Sequence, residues 1–469
     1  MWSPTWKAYC LLWICVFAVI YGISVIAIKS ASADAKGSTT RFFLVIKAQL
    51  IMLLASVIIY KRTVALFEPH SNVKSDESYE LANAPVEMHR MPNRKTASIS
   101  RVIRLLAPIN FARVVLLLFF IFAHCCFFMY YILVNDDPSW VALISFVSSA
   151  VYIHVAIFTI IAIAVELFAA LIRVRPESTG MRRLLVDKNS HTLMAIGLAL
   201  MLTFAGLFVT SQPPAVVEVS VPVENLPAEL QGFKIALLTD LHIGPTVGRW
   251  RVQRIVDTTN KIEPDVVAIA GDLVDGAVHM LKGAAAPLAT LKSKFGTFYS
   301  TGNHEYYHGN IDNWFTYLRE IGVQPLHNEH KKIYVRKDSE HGICLAGVDD
   351  LTAAKARIPG HGLNLEKALA GCFDNETVVV LAHQPNAAKI ILDGPLGHTV
   401  DLVLSGHTHG GQMYVLWPMA YFANAFFHGL YVHLQTGAHV YVSAGTNFWG
   451  PPVKMFGMCE ITLLELRRA

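Results

Sequence analysis

Five long stretches of this chain carry almost no charge, and they constrain its fold more than any other feature. They are Tyr9–Ile28, Phe42–Tyr60, Val114–Val134, Trp140–Ile172 and His191–Thr210. About 20 consecutive apolar residues suffice to cross the hydrocarbon core of a bilayer. Charged residues make up 16% of the chain, against about 25% in an ordinary soluble domain. We therefore predict an N-terminal, multi-pass α-helical membrane region of about five spans within residues 1–211.

Some of these stretches admit a second interpretation. No proline or glycine interrupts Trp140–Ile172, which favours one long tilted helix over two short spans. The first stretch could instead be a cleaved signal sequence, because the small residues Ala31, Ser32 and Ala33 follow it. Some of the five could also be buried core helices of a large soluble fold, but so many uncharged runs of this length disfavour that interpretation.

The distribution of basic residues predicts the orientation, because loops rich in Lys and Arg stay on the cytoplasmic side. The loop between the second and third spans holds Lys61, Arg62, Lys74, Arg90, Arg94, Lys95, Arg101 and Arg104. The next connection, Asn135–Ser139, has two aspartates and no basic residue, whereas Arg173–Ser190 is basic again. We expect the last span to place the C-terminal domain on the luminal or extracellular side. The glycosylation sequon at Asn375 agrees with that side but adds little weight.

Charge and cysteine content narrow the classes of function. The net charge of +4 comes with no basic stripe, so no nucleic-acid partner is expected. In the C-terminal half, Cys344, Cys372 and Cys459 lie at no metal-ligand spacing and allow at most one disulfide. The polar segment Glu68–Ser100 lacks periodic apolar residues, and we expect it to be a flexible cytoplasmic loop.

Residues 212–469 read as a separate α/β domain, because short apolar strands recur there between polar or helical connections. The predicted strands are Val216–Val223, Phe233–Thr239, Asp265–Ala270, Thr297–Ser300, Ile343–Val348, Thr377–Leu381, Leu402–Leu404, Val440–Ser443 and Ile461–Leu464. In open α/β sheets, ligand-binding groups collect beyond the carboxyl ends of the strands. Residues in those positions are therefore the first candidates for function.

Metal-ligand residue types follow five of these strands. They form Asp240-Leu241-His242, Gly271-Asp272-Leu273-Val274-Asp275, Gly302-Asn303-His304-Glu305, His383 and Gly406-His407-Thr408-His409. Carboxylate, imidazole and amide oxygen together suit Mn²⁺, Fe or Zn²⁺. Each piece alone is more often structural, as an N-capping aspartate or a buried core histidine. Together and in this order they indicate a site for two divalent ions, which is typical of hydrolytic phosphorus chemistry.

The ordered set of motifs resembles the calcineurin-like metallophosphoesterase superfamily over about residues 230–469. The resemblance implies a C-terminal metallophosphoesterase domain of two packed mixed β-sheets flanked by helices. It implies one ion held by Asp240, His242 and His409, and a second held by Asn303, His383 and His407, with Asp272 bridging both. A metal-bridging hydroxide would attack phosphorus. His304 would be the general acid that protonates the leaving oxygen, and Asp275 would orient it.

The sequence also departs from part of that superfamily. Its protein Ser/Thr phosphatases carry an arginine soon after the Gly-Asn-His-Glu turn, whereas Tyr306, Tyr307 and His308 follow here. The resemblance therefore disfavours a phosphoprotein substrate. Asp349 and Asp350 end the fourth strand near the expected site, but they could equally cap the following helix.

The leading hypothesis is a membrane-anchored hydrolase of phosphomonoesters or phosphodiesters. A lipid-linked substrate is favoured by the membrane anchor alone. A second hypothesis is a metal-stabilised binding or trafficking module with little turnover, although His304 and Asp275 would then have no purpose. A third is a transporter or channel that the domain regulates. The ionisable residues available for a transport path inside the stretches are Lys47, His124, His154 and Glu166.

Overall fold

The computed structural model describes residues 4–30, 33–67, 94–174, 180, 184–309, 311–336, 338–339, 341–372 and 375–469. Side chains are described throughout these ranges except at residues 4–14, 33–38, 40–41 and 94–109. The helices are α1 Pro4–Ser30, α2 Ala33–Ala65, α3 Arg94–Ile132, α4 Trp140–Leu171, α5 Lys188–Ser211, α6 Arg249–Lys261, α7 Val278–Ala285, α8 Asn303–His308, α9 Ile311–Glu320, α10 Thr352–Ala356, α11 Leu365–Leu369, α12 Pro385–Asp393 and α13 Trp417–Ala423.

Four helices in the described residues are long and apolar enough to cross a membrane. They are Phe42–Ala65, Asn110–Ile132, Trp140–Leu171 and Lys188–Ser211. The fourth predicted stretch is one uninterrupted helix, α4. The first predicted span lies in α1, whose described apolar part is the shorter Cys15–Ser30. A fifth span therefore stays a prediction.

The predicted loop Glu68–Ser100 lies largely outside the described residues, and its last part differs from expectation. Residues 94–100 form the first turns of α3 instead of a loop. Alanine, isoleucine, lysine and arginine tolerate a helix well, so this segment can extend the apolar helix that follows. Of the small residues proposed as a cleavage site, Ala31 and Ser32 also lie outside the residues that the structure describes.

The chain divides into two compact units. The first contains Met1–Leu50, Cys125–Ala150 and Met201–Ala469, and the second contains Ile51–His124 and Val151–Leu200. Within the second unit, Glu166 forms an ion pair with Arg62 and lies 3.0 Å from His191 Nδ1. Because a nearby cation compensates this carboxylate, its position is explained without a transport path.

The C-terminal domain contains two six-stranded mixed sheets. Its strands are β1 Ala215–Val223, β2 Lys234–Leu238, β3 Val266–Ala270, β4 Thr297–Ser300, β5 Val323–Pro325, β6 Glu329–Ile333, β7 Ile343–Gly347, β8 Thr377–Leu381, β9 Leu402–Ser405, β10 Gly429–Val432, β11 His439–Val442 and β12 Glu460–Arg468. The orders are β1-β12-β2-β3-β4-β5 and β10-β11-β9-β8-β7-β6. A buried cluster that includes Leu237 and Leu404 packs the sheets together. Helices cover their outer faces, as the predicted fold class requires.

Three strands, β5, β6 and β10, were not predicted from the sequence. Each lies at the edge of its sheet. The strand β6 is mostly polar, with the sequence Glu-His-Lys-Lys-Ile and two exposed residues. Edge strands are commonly short and charged, because that composition prevents pairing with other chains. Strand β6 therefore lacks the apolar run by which the buried strands are recognised.

The connection between α3 and α4 packs directly on the C-terminal domain within the first unit. Val134 belongs to the buried core beneath α6 and α7. The backbone carbonyl of Asp136 accepts a hydrogen bond from Arg249 N at 2.8 Å, and its side chain accepts one from Ala284 N at 3.1 Å. The connection between α3 and α4 is therefore in direct contact with the C-terminal domain.

Candidate metal centre

The candidate ligands converge because the strands that carry them are neighbours. β2, β3 and β4 are parallel and adjacent in the first sheet, and β8 and β9 are parallel in the second. Parallel neighbours present their carboxyl ends at one edge. Asp240, Asp272 and Asn303 follow the first three strands, and His383 and His407 follow the other two. All these residues are buried except His407, which is half-buried.

Five candidate ligands have a left-handed backbone conformation that non-glycine residues rarely adopt. Their φ angles are 55° at Asp240, 47° at His242, 50° at Asp272, 70° at His407 and 51° at His409. Such a conformation costs on the order of 1–3 kcal/mol per residue and persists where the surrounding structure enforces it. The clustering of strained residues at one edge of the sheets marks this edge as a functional site.

Two glycines allow the backbone to approach the ligands closely. Gly271 has a φ of 80°, and a Cβ at that position would lie 2.5 Å from the ring of His383. A Cβ at Gly406 would lie 2.3 Å from the carboxylate of Asp240. Any larger residue would displace a candidate ligand at both positions.

The first ligand set comes together as the resemblance implies. His409 Nε2 lies 3.4 Å from Asp240 Oδ1 and 3.0 Å from His242 Nε2. Burial lowers the pKa of His409 well below its usual value, which favours the neutral imidazole that binds a metal. His242 Nδ1 faces Asp275 Oδ1 at 3.2 Å, which leaves its Nε2 available on the side of Asp240.

The second ligand set is also assembled. Asp272, His383 and His407 place one ligand atom each within 4.8 Å of one another. Burial lowers the pKa of His407 to about 4. Burial also opposes the charged form of His383, but the carboxylates of Asp272 and Asp240 outweigh it and raise the pKa of His383 well above its usual value. A divalent ion would replace that proton.

Orphaned polar atoms test whether these residues fit metal ions. Asn303 Oδ1 is buried and has no hydrogen-bond partner. His383 Nδ1 is engaged by the carbonyl of Ala270 at 2.9 Å, and its buried Nε2 faces the carboxylate of Asp272 at 3.2 Å. Buried polar atoms without partners are costly, and most are satisfied in folded proteins. Asn303 Oδ1 is such an atom, and it belongs to the same candidate set as Asp272, His383 and His407, so the donor set fits a divalent metal.

His304 and Asp275 form a hydrogen-bonded dyad beside the two ligand sets. His304 Nδ1 lies 2.6 Å from Asp275 Oδ1, and its Nε2 lies 4.0 Å from Asp272 Oδ2. Burial alone would lower the pKa of His304, but the carboxylates of Asp272 and Asp275 raise it to about 9. Asp275 also faces His242, so one carboxylate orients both the dyad histidine and a candidate ligand.

Three residues with clear roles at the site were not identified from the sequence. Glu305 accepts hydrogen bonds from Gly302 N at 2.6 Å and Leu273 N at 2.8 Å, and thereby holds the two ligand-bearing turns together. The buried Lys454 donates to the carbonyls of Ala444 and Gly445 next to Asp240. The Trp449 ring lies 5.2 Å from that of His304. The Gly-Asn-His-Glu motif contains Glu305, and the tail Gly445–Lys454 of the family resemblance contains the other two, but neither pattern indicates these roles.

The aspartates left unassigned in the sequence have structural partners. Asp350 Oδ1 accepts a hydrogen bond from Thr352 N at 2.8 Å, but the N-cap residue of α10 is Leu351 and not an aspartate. Asp349 Oδ1 lies 2.7 Å from His327 Nδ1, and its Oδ2 accepts from Gly362 N at 2.9 Å. Neither is among the residues that converge on the candidate ions.

Sequence comparisons agree with this geometry. Residues 233–411 match the family model described as calcineurin-like phosphoesterase. A Caenorhabditis elegans protein, named for a metallophosphoesterase, is 39% identical over 461 residues, which is 97% of this chain and 95% of the relative. This chain belongs to the calcineurin-like phosphoesterase family. The predicted resemblance and fold class are thus confirmed, and family membership implies two divalent ions.

Two vertebrate relatives of this calcineurin-like phosphoesterase carry the name "transmembrane protein with metallophosphoesterase domain". The one from Danio rerio is 40% identical over 76% of this chain and 80% of its own length. The one from Bos taurus is 41% identical over 72% of this chain and 76% of its own length. These names and the four apolar helices support a membrane protein with a phosphoesterase domain.

Proposed function

We propose that this protein is a membrane-anchored hydrolase of phosphomonoesters or phosphodiesters that uses two divalent ions. The observation that carries the proposal is the convergence of both ligand sets beside the His304–Asp275 dyad. When bound, the ions would activate water and hold the phosphoryl oxygens. Asp240, His242 and His409 would hold one ion, Asn303, His383 and His407 the other, and Asp272 both. Mn²⁺ is the first candidate, with Fe and Zn²⁺ as alternatives.

His304 acts as the general acid in this proposal. Its Nδ1 is occupied by Asp275, so its Nε2 carries the proton that would go to the leaving oxygen. Burial lowers the pKa of His304, but the hydrogen-bonded carboxylate of Asp275 raises it and favours the protonated ring. Asp275 holds the ring in place, and Glu305 fixes the turn from which His304 projects.

We propose that the domain is luminal or extracellular and that its anchor crosses the bilayer several times. Two observations support this orientation. Cys344 and Cys372 form a disulfide, a bond that persists in oxidising compartments and is rare in the cytosol. The acidic connection between α3 and α4, predicted to be non-cytoplasmic, packs on the domain through Asp136. Such an anchor would give the enzyme access to lipid-linked esters.

The test is hydrolysis of p-nitrophenyl and bis-p-nitrophenyl phosphate by the full-length protein in detergent with Mn²⁺. The full chain is required because Val134 contributes to the core of the domain. We expect activity that requires metal and that falls at least about 100-fold in Asp272→Asn, since loss of the bridging carboxylate removes a ligand from both ions. The exposed Asp257→Asn on α6 is the matched control and should retain activity.

A folded, metal-loaded protein that hydrolyses neither compound would contradict the proposal. That result would favour the alternative of a metal-stabilised binding or trafficking module. The ratio of diester to monoester hydrolysis would distinguish the two ester classes.

A further inference from the structure

The candidate metal centre opens into a cavity of about 890 Å³ within the first unit. Its floor is polar and includes Asp272, Asn303, His304, His407 and His409. One of its walls is apolar and is made by side chains of two predicted membrane spans. That wall consists of Leu44, Val45 and Ala48 from α2 and Phe127, Tyr130 and Tyr131 from α3. The same cavity is therefore bounded by the phosphoesterase centre and by the membrane anchor.

Two side chains of the apolar wall are exposed on helices that could cross a membrane. Leu44 is 65% exposed and Tyr131 is 59% exposed. Both belong to helices long and apolar enough to cross a membrane, near the ends that adjoin the phosphoesterase domain. Exposed apolar side chains on such helices contact lipid chains. A hydrocarbon chain could thus pass from the bilayer along this wall to the metal centre without crossing water.

The cavity also has a basic rim. Lys355 and Arg357 line it, and both are exposed. Positive charges at the mouth of a cleft attract an anionic ligand. They supply cationic groups in a protein that lacks the arginine found after the Gly-Asn-His-Glu turn in the phosphoprotein phosphatases. Polar floor, basic rim and apolar wall together match a molecule with a phosphate, a polar head and a hydrocarbon chain.

We propose that the substrate is an amphiphilic phosphate ester whose hydrocarbon chain lies along the wall formed by α2 and α3. This inference rests on the proposed hydrolase function. In the reaction, water adds to phosphorus, the P–O bond to the leaving alcohol breaks, and the alcohol oxygen takes a proton. A water-soluble ester would leave the apolar wall unoccupied. Burial of a chain there would improve kcat/KM, by about fourfold for each methylene that is fully removed from water.

The test uses methyl, octyl and hexadecyl p-nitrophenyl phosphate with the full-length protein in lipid nanodiscs and Mn²⁺. All three release the same p-nitrophenol, so their intrinsic reactivity is matched and the chain is the variable. We expect kcat/KM to rise at least about 50-fold from methyl to octyl, which requires burial of three methylenes. Equal kcat/KM for methyl and hexadecyl esters would overturn the inference while leaving the proposed hydrolase function intact.

Substitutions in the wall separate binding along it from simple partition into the bilayer. Ala48→Trp should occupy the space along the wall where the chain would lie, and so reduce the hexadecyl-to-methyl ratio of kcat/KM at least about tenfold. Leu53→Trp is the control, because five residues along a helix place it about 140° away from Ala48 on an exposed position outside the cavity lining. It should retain the wild-type ratio.

Phe127→Ala provides a second variant that removes contact area without adding bulk, and it should also lower the ratio. A long-chain preference that survives in both wall variants would overturn the inference, because partition alone would then explain it. Absence of hydrolysis of all three diesters and of the monoester p-nitrophenyl phosphate by the metal-loaded protein would instead contradict the proposed function on which the inference rests.

Discussion

The backbone beside the candidate ligand His383 leaves no room for a side chain at Gly271. Gly271 and Gly322 both have a left-handed conformation, with φ of 80° and 84°, but a Cβ at Gly322 would meet nothing within 4 Å. Alanine at either position costs about 1 kcal/mol in backbone conformation. Only Gly271→Ala would also displace His383.

We therefore expect Gly271→Ala to lose bound metal and to lower hydrolysis at least about 100-fold, as disruption of a ligand does. Gly322→Ala should lower the melting temperature slightly and keep its metal. Metal content by mass spectrometry and p-nitrophenyl ester hydrolysis measure both effects. Equal metal loss in the two variants would show that backbone strain, and not the contact with His383, is responsible.

The role assigned to His304 predicts how its loss depends on the leaving group. A poor leaving group needs the proton more than a good one, so His304→Ala should slow phenyl ester hydrolysis about 10²–10⁴-fold. The loss should be at least about tenfold smaller for the p-nitrophenyl ester. Steady-state kcat/KM for the two esters measures this difference. An equal loss for both would assign His304 a structural role.

At the scale of elements, the half-buried carboxyl of Asp401, directly before β9, should destabilise the fold above about pH 6. Burial raises the pKa of Asp401 to about 6, although its carboxylate accepts a hydrogen bond from Val378 N at 2.7 Å. Because the pKa of Asp401 is higher in the folded protein, its protonated carboxyl contributes its full stabilisation below about pH 4, which is the pKa in the unfolded chain. That contribution is lost as the pH rises through about 6.

Asp401→Asn should therefore raise the free energy of unfolding at pH 7.5 by up to about 3 kcal/mol and change it little at pH 4. Thermal unfolding of the full-length protein at both pH values measures the effect. The exposed Asp257→Asn on α6 serves as the control. A stabilisation of the same size at pH 4 would contradict the assigned cause.

The sequence predicted the elements whose pattern is local and missed those that depend on distant neighbours. Buried strands such as Thr377–Leu381 are apolar at every position and are easily recognised. The edge strand β6 is not easily recognised from the sequence, because its pairing with β7 determines its conformation. The candidate ligands could be found because each follows a buried strand. The role of Lys454 could not be found in this way, because it depends on a hydrogen bond to the carbonyl of Ala444 that forms only in the folded protein. The wall of α2 and α3 lies more than a hundred residues from the ligands in sequence.

At the scale of the whole molecule, the side of the membrane on which the domain lies can be measured. Asn375 is exposed beside the disulfide formed by Cys372 and has the sequon required for N-glycosylation. We expect the protein made in eukaryotic cells to become smaller after glycosidase treatment, and Asn375→Gln to abolish that change. A C-terminal tag should also resist protease in sealed microsomes. Digestion of the tag in intact microsomes would place the domain in the cytoplasm.

The attachment of the domain to its anchor has a consequence for where the enzyme can act. Only Gln212–Pro214 separate α5 from β1, and Arg251 donates to the carbonyl of Thr210 at 2.8 Å across this junction. Because this connection is short and packed, it does not allow the site to reach a second membrane opposite its own. For the amphiphilic ester proposed above, the effective substrate concentration would be its mole fraction in the protein's own bilayer, so turnover would follow the composition of that membrane.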